Sequence, residues 1–180
     1  MTSGSDATGG TVSEEAGAPE NAGIAFAKLL EEQLVEERAR KTSLEARGAA
    51  IITTSGALVT LLFGLAALVT GQDGFELGDQ PRNLLGLGVL AFFAAALAGL
   101  AVNFPWRYTE VTAKGFSDLL PHWDAAPQKG LRAAFEARRK VYARAREVNG
   151  YKAIIVFLGM ALEVVGVVLV ATAVRSILLG

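Results

Sequence analysis

Hydrophobic and polar positions along this chain fall into blocks rather than an even mixture. Three windows, 49–70, 83–104 and 153–174, hold a single charged residue between them, Glu163. The stretches before the first and third windows, 21–48 and 105–152, are dense in charge. Each window is long enough to form a helix of about 33 Å, which exceeds a hydrocarbon core of ~30 Å. The pattern predicts three transmembrane helices. The first two are separated by GQDGFELGDQPR, residues 71–82, whose Gly, Asp and Pro content predicts a turn and hence a helical hairpin. The second window closes at Pro105-Trp106, a helix breaker followed by an interfacial aromatic.

The flanks also read as helical. Asn21 is suited to an N-cap, and Ile24, Ala27, Leu30 and Leu34 follow at spacings of three and four. No proline occurs between Pro19 and Pro81, so nothing obliges this helix to stop before the first span. In the middle segment, Tyr108, Val111, Gly115, Leu119 and Leu120 predict a short amphipathic helix that Pro121 ends. PHWDAAPQKG, residues 121–130, reads as a loop. Leu131–Val148 then forms a second helix, with an apolar seam at Leu131, Ala134, Phe135, Val141, Tyr142, Ala145 and Val148.

Residues 1–20 carry too few large apolar groups to offset their ordering entropy and are expected to be a disordered tail. Residues 175–180 form a short tail at the other end. The fold expected is all-α: a membrane protein with three transmembrane helices and cytoplasmic helical extensions. Its parts are the tail 1–20, a cytoplasmic helix 21–48, a transmembrane hairpin 49–104, cytoplasmic amphipathic helices 105–152, and the third span 153–174.

Lysine and arginine counts orient this arrangement, because short basic loops stay cytoplasmic. Residues 21–48 hold five, the loop 71–82 holds only Arg82, and 105–152 holds ten. The amino terminus and middle segment are therefore expected in the cytoplasm, and the carboxyl terminus outside. Residues 1–20 lack the basic and apolar regions of a signal peptide, so the first span is expected to stay attached. Arginine outnumbers lysine in an Ala/Gly-rich chain, which suggests a high-GC bacterium and places the protein in the inner membrane.

Composition removes most enzyme classes. The 180 residues include no cysteine, which excludes disulfides, thiolate chemistry and cysteine-ligated zinc. The lone histidine, His122, cannot supply a site that needs two imidazoles. A formal net charge of −1 argues against nucleic acid as a partner. Asp73, Glu76 and Asp79 miss the calcium-loop pattern and read as solvated turn residues. No catalytic residue, cofactor site or metal site is expected, and the chain reads as a non-enzyme.

Three sets of residues remain as candidates. Glu163 lies near the predicted bilayer midplane, where a charge costs at least ~2.5 kcal/mol. It reads either as part of an ion or proton path, as a polar clasp between subunits, or as a protonated side chain hydrogen-bonded within the bundle. Counted from the start of each span, Thr60 lies at the same depth and is the expected partner. The second set comprises small residues on helical faces: Thr53, Gly56, Thr60 and Gly64 in the first span, Ala91, Ala95 and Gly99 in the second, and Gly159 and Gly166 in the third. Such faces let helices approach closely in lipid. They serve either ordinary packing within one chain or a homo-oligomer.

The third set is basic. Arg132, Arg138, Arg139, Lys140 and Arg144 form a face that suits an anionic ligand or partner. Glu31, Glu32, Glu36 and Glu37 fall at similar heights on the parallel first helix and are expected to pair with part of it. Nearest the membrane, Arg144, Arg146 and Lys152 are expected to meet anionic lipid headgroups. Tyr142, Trp123 and His122 could stack a base, but the Gly-rich phosphate-loop pattern is absent.

The layout around EEQLVEERARKTSLEARG, which runs straight into the first span, and around the NGYKA junction before the third, resembles a known group. It is similar to the Pycsar effector family and, more loosely, to the SLATT membrane effectors of bacterial antiphage defence. The resemblance spans residues 28–174 and is one of architecture, so it transfers no catalytic residue. It implies a signal-responsive protein that senses a cyclic nucleotide or a partner's signal and then perturbs the membrane. The residues alone leave open a second reading: a scaffold or accessory subunit whose stalk helices dock a cytoplasmic protein.

Overall fold

In a computed structural model the chain is described over residues 22–70, 78–105, 117, 120 and 126–179. Among the described residues there are three long helices: α1 (Ala22–Thr70), α2 (Asp79–Asn103) and α3 (Pro127–Leu179). All three carry stretches long and apolar enough to cross a membrane. The expected tail 1–20, the N-cap Asn21, most of the hairpin turn and most of segment 106–125 lie outside the described residues.

Each flank is continuous with its span, as the lack of a proline ahead of the first one allows. α1 runs 49 residues and α3 runs 53 without a break, about 73 and 80 Å at the helical rise. Gly48 and Gly150 both sit within helix, since one glycine costs only about 1 kcal/mol against alanine and the surrounding turns continue on both sides. α3 also starts earlier than the sequence pattern suggests, at Pro127 inside the expected loop. Proline suits a first helical turn, where its missing N–H is not needed. The Ala126 carbonyl opens the ladder by accepting from the Lys129 and Gly130 amides. At the other end the expected tail 175–180 is helical as far as Leu179. α2 ends as expected: Phe104 adopts an extended conformation, as a residue before proline prefers.

The helices are held by a seam of threes and fours on each. On α1 the buried positions are Leu30, Glu37, Leu44, Gly48, Ile51 and Ser55. On α3 they are Val148, Asn149, Lys152, Val156, Gly159, Gly166 and Ala173, and on α2 Gly88, Ala91, Phe92, Ala95, Gly99 and Val102 are among them. Leu44, Ile51, Ala95, Val102 and Val156 form the apolar core. α1 and α3 lie parallel, and α2 runs back between them, so that Gly99 meets Gly48 while Gly88 meets Val170. α2 therefore stops at the level of Gly48, and the amino-terminal halves of α1 and α3 continue as a two-helix stalk.

Glycine is required where backbones touch. A Cβ on Gly99 would stand 2.6 Å from the Gly48 carbonyl oxygen, and one on Gly166 would stand 2.8 Å from the Phe92 ring. Ala91 and Ala95 are buried in the same contacts, and Gly159 packs on Ile51. Gly56 and Gly64 are placed differently: a Cβ on either would meet nothing within 4 Å. The first-span face they share with Thr53 and Thr60 is exposed, because α1 turns its Gly48–Ile51–Ser55 face inward instead. Outside the seam, Leu61, Phe63, Leu90, Phe93, Phe157 and Val164 are exposed, which suits contact with lipid.

Gly99→Ala and Gly166→Ala should each lower stability by about 1–3 kcal/mol, because the added methyl group would have to displace the Gly48 backbone in the first and the buried Phe92 ring in the second. Gly56→Ala and Gly64→Ala should stay within about 0.5 kcal/mol of the parent. Thermal unfolding of the purified chain in one detergent distinguishes the two pairs.

Candidate functional site

Side chains that could do chemistry converge along the α1–α3 seam, in polar contacts at successive heights. The lowest lies in the stalk. Asn149 is fully buried, and its amide donates to both the backbone oxygen (2.9 Å) and the Oε2 carboxylate oxygen (2.8 Å) of Glu37. Both amide hydrogens are thereby used, which satisfies a polar group that would otherwise be costly to bury.

Closer to the spans, Lys152 reaches across to Glu45. Its Nζ stands 2.6 Å from Glu45 Oε1, and Lys152 is 0% exposed. Lys41 approaches the same carboxylate at 3.9 Å. This overturns the expectation that Lys152 reaches lipid headgroups. The helix places Lys152 on the seam between Val148 and Val156, where its stem packs and its ammonium finds an anion instead of water. With the ammonium buried, loss of Glu45 as its partner costs more than breaking an exposed pair does.

The third contact lies within the spans. Glu163 Oε1 stands 2.6 Å from Thr54 Oγ1 and 2.9 Å from Ser55 Oγ. Ser55 is 1% exposed, whereas Glu163 is half-buried and Thr54 faces outward. The expected partner, Thr60, instead donates to its own helix at the Gly56 carbonyl, 2.9 Å away. The cause is register. The side-chain hydrogen bonds described between α1 and α3 join residues 107–112 apart: Glu31 with Arg138, Gln33 with Tyr142, Glu37 with Asn149, Glu45 with Lys152, and Thr54 and Ser55 with Glu163. Counting depth from the first apolar residue of each span implied a smaller offset and so overshot by more than one turn.

The basic face is arranged otherwise than the sequence suggested. Arg138 alone among its members is seen to reach α1, at 3.4 Å from Glu31, with both side chains largely exposed. Arg132 turns to Glu136 and Arg144 to Glu147 within their own helix. Arg139 and Lys140 are exposed. Glu37, expected to meet an arginine of this face, is taken by Asn149 as well as by Arg40 on its own helix at 3.7 Å. Arg146 lies 2.8 Å from the Tyr142 hydroxyl and over its ring, so Tyr142 is engaged within the stalk. His122 and Trp123 lie outside the described residues.

At the free end of the stalk the two helices enclose an open cleft of about 350 Å³, lined by Gly23, Phe26, Gln128, Leu131, Arg132 and Phe135. Among the described residues, no group of three His, Asp or Glu side chains is placed to hold a metal ion. Asn149 and Lys152 were the residues that sequence reasoning undervalued. Their signal was the 3–4 spacing they share with Val156 and Gly159, which puts a polar pair on an apolar seam. No family model, curated protein or solved structure matches the chain.

Lys152→Met should cost about 2–4 kcal/mol, somewhat below the cost of breaking a fully enclosed pair because Glu45 is one-third exposed. Arg132→Ala should stay within about 0.5 kcal/mol, since its pair is solvated. Thr54→Val should cost about 1 kcal/mol while Thr60→Val is neutral. Thermal unfolding read by circular dichroism checks all four.

Proposed function

We propose that this protein is a non-enzymatic, multi-pass protein of a bacterial inner membrane that acts as a signal-responsive, membrane-perturbing effector. The observation that supports this reading most directly is the continuity of α1 and α3. Each runs unbroken from the stalk into its span, and buried bonds at Glu37–Asn149 and Glu45–Lys152 hold the two in one register. A ligand or partner that shifts the stalk helices therefore moves the spanning segments directly, with no hinge between to absorb the motion. The architectural resemblance to Pycsar effectors points to a cyclic nucleotide as the signal, and the exposed face of Arg138, Arg139 and Lys140 would meet its phosphate. In this mechanism several copies associate through the exposed small face of α1 and rearrange together.

A second reading rests on the cleft at the stalk tip. Phe26, Leu131 and Phe135 offer an apolar seat with Arg132 beside it, which suits a side chain from a cytoplasmic protein. Under that reading the chain is a scaffold or accessory subunit and the membrane stays sealed.

Dye-loaded vesicles of phosphatidylethanolamine and phosphatidylglycerol carrying the full chain separate the two. A panel of cyclic mono- and dinucleotides should include one that releases dye and raises thermal stability, by about 2.7 kcal/mol at a hundred times its Kd. Arg138→Ala combined with Arg139→Ala should abolish both effects. Intact vesicles under every nucleotide would remove the effector reading in favour of the scaffold.

Orientation is tested separately, because the chain lacks cysteine and any single introduced thiol is unique. In intact cells a membrane-impermeant maleimide should label Ser176→Cys and spare Ser43→Cys. The reverse pattern would invert the topology.

A further inference from the structure

The carboxyl of Glu163 is satisfied on one side only. Thr54 Oγ1 and Ser55 Oγ both stand against Oε1, at 2.6 and 2.9 Å. Thr54 Oγ1 also lies near the Ala50 and Ile51 carbonyls of its own helix, at 2.8 and 3.3 Å. Oε2 has no hydrogen-bond partner among the described residues. It is not sealed in either, because no enclosed side-chain nitrogen or oxygen among those residues lacks a partner. Oε2 therefore opens at the surface of the groove between α1 and α3. The nearest charged residues along α3 are Lys152 and Arg175, each about 17 Å away along the helix. In lipid, nothing at that depth supplies a donor, so an open acceptor is costly. A carboxyl oxygen accepts hydrogen bonds whether or not the group is ionised, so the need is the same in both states.

The complementary surface belongs to the chain itself but lies out of its own reach. Thr53, Gly56, Thr60 and Gly64 line the exposed face of α1, and a Cβ on either glycine would meet nothing within 4 Å. Depth selects between the two hydroxyls. Copies inserted in one orientation share one depth, and Glu163 is level with Thr54 and Ser55. Thr53 stands within about 3 Å of that level along the axis, whereas Thr60 is about 8 Å from it. In the single chain the Thr53 hydroxyl donates to the Ala49 carbonyl at 3.1 Å. That carbonyl keeps the Thr53 amide of the helix ladder when the hydroxyl turns outward. Gly56, close to one turn on, lets a neighbouring helix approach.

We propose that a second copy of this chain covers Glu163: Thr53 on the outer face of one α1 donates to Glu163 Oε2 in the α1–α3 groove of the next. The two surfaces are different, so the contact repeats head to tail, and copies sharing one orientation in a flat membrane close into a ring. This deepens the effector reading, on which it rests for the association of copies through α1.

The test uses the full chain in phosphatidylethanolamine and phosphatidylglycerol vesicles without nucleotide. Gly56→Cys on the outer face, and Val167→Cys one turn beyond Glu163 and 48% exposed, supply the only thiols in a chain that has none. Within one copy they cannot bridge, because position 56 faces open space. Oxidised with copper phenanthroline, the double variant should give a ladder of dimers, trimers and larger species on a non-reducing gel, while each single variant stays monomeric. Adding Thr53→Val should lower the cross-linked yield about three- to tenfold. Thr60→Val, on the same face at another depth, should leave it unchanged. Cross-linking by Gly56→Cys alone as strong as that of the double variant would make the contact two-fold and overturn the proposal. So would the absence of a ladder, or a ladder that Thr53→Val does not weaken. A ladder in vesicles that no nucleotide opens would uphold this contact and remove the effector reading.

Discussion

The parallel register of α1 and α3 is the constraint on which the other contacts depend. Apolar side chains alone specify such a register weakly, because one leucine fits a neighbouring groove nearly as well as another. Buried polar groups specify it sharply, since a slip of one turn would leave each without its partner. Asn149 on Glu37, Lys152 on Glu45, and Glu163 on Thr54 and Ser55 all lie along the same parallel pairing of α1 and α3, joining residues 107–112 apart.

α2 adds thickness where the chain is most apolar. It reaches only to the level of Gly48 and leaves the stalk as a bare pair of helices. The close approach of Gly99 to Gly48, and of Phe92 to Gly166, lets three helices share one narrow core without large side chains. Packing of this kind relies on van der Waals contact rather than on expulsion of water, which suits a lipid surround. The polar contacts then sit along the edge of the apolar core, where α1 and α3 face each other.

This arrangement ties the stalk mechanically to the apolar, membrane-length stretches of the helices. A helix pair without a break transmits rotation and translation along its length, and the buried Lys152–Glu45 contact sits near the point where the third helix joins. The exposed basic residues of the stalk are largely paired within their own helix and contribute little to this connection. They remain accessible to an outside anion. Function in the proposed sense therefore divides between an exposed surface that can receive a signal and a buried seam that can carry it.

The three helices long and apolar enough to span a membrane, the all-helical class and the Pro105 end of α2 were legible from residue pattern alone. Long uncharged runs and helix breakers act through local chemistry, which one stretch of sequence contains in full. Ala91, Ala95, Gly99, Gly159 and Gly166 could likewise be found by spacing. The sequence could not determine which small face each helix turns inward: Gly56 and Gly64 share their spacing with residues that pack, yet stay outside. Nor could it pair Glu163 with Thr54 and Ser55 rather than Thr60, or place Lys152 in the interior. Those choices depend on the relative rotation and offset of helices more than a hundred residues apart in sequence. Only the simultaneous packing of all three helices decides them.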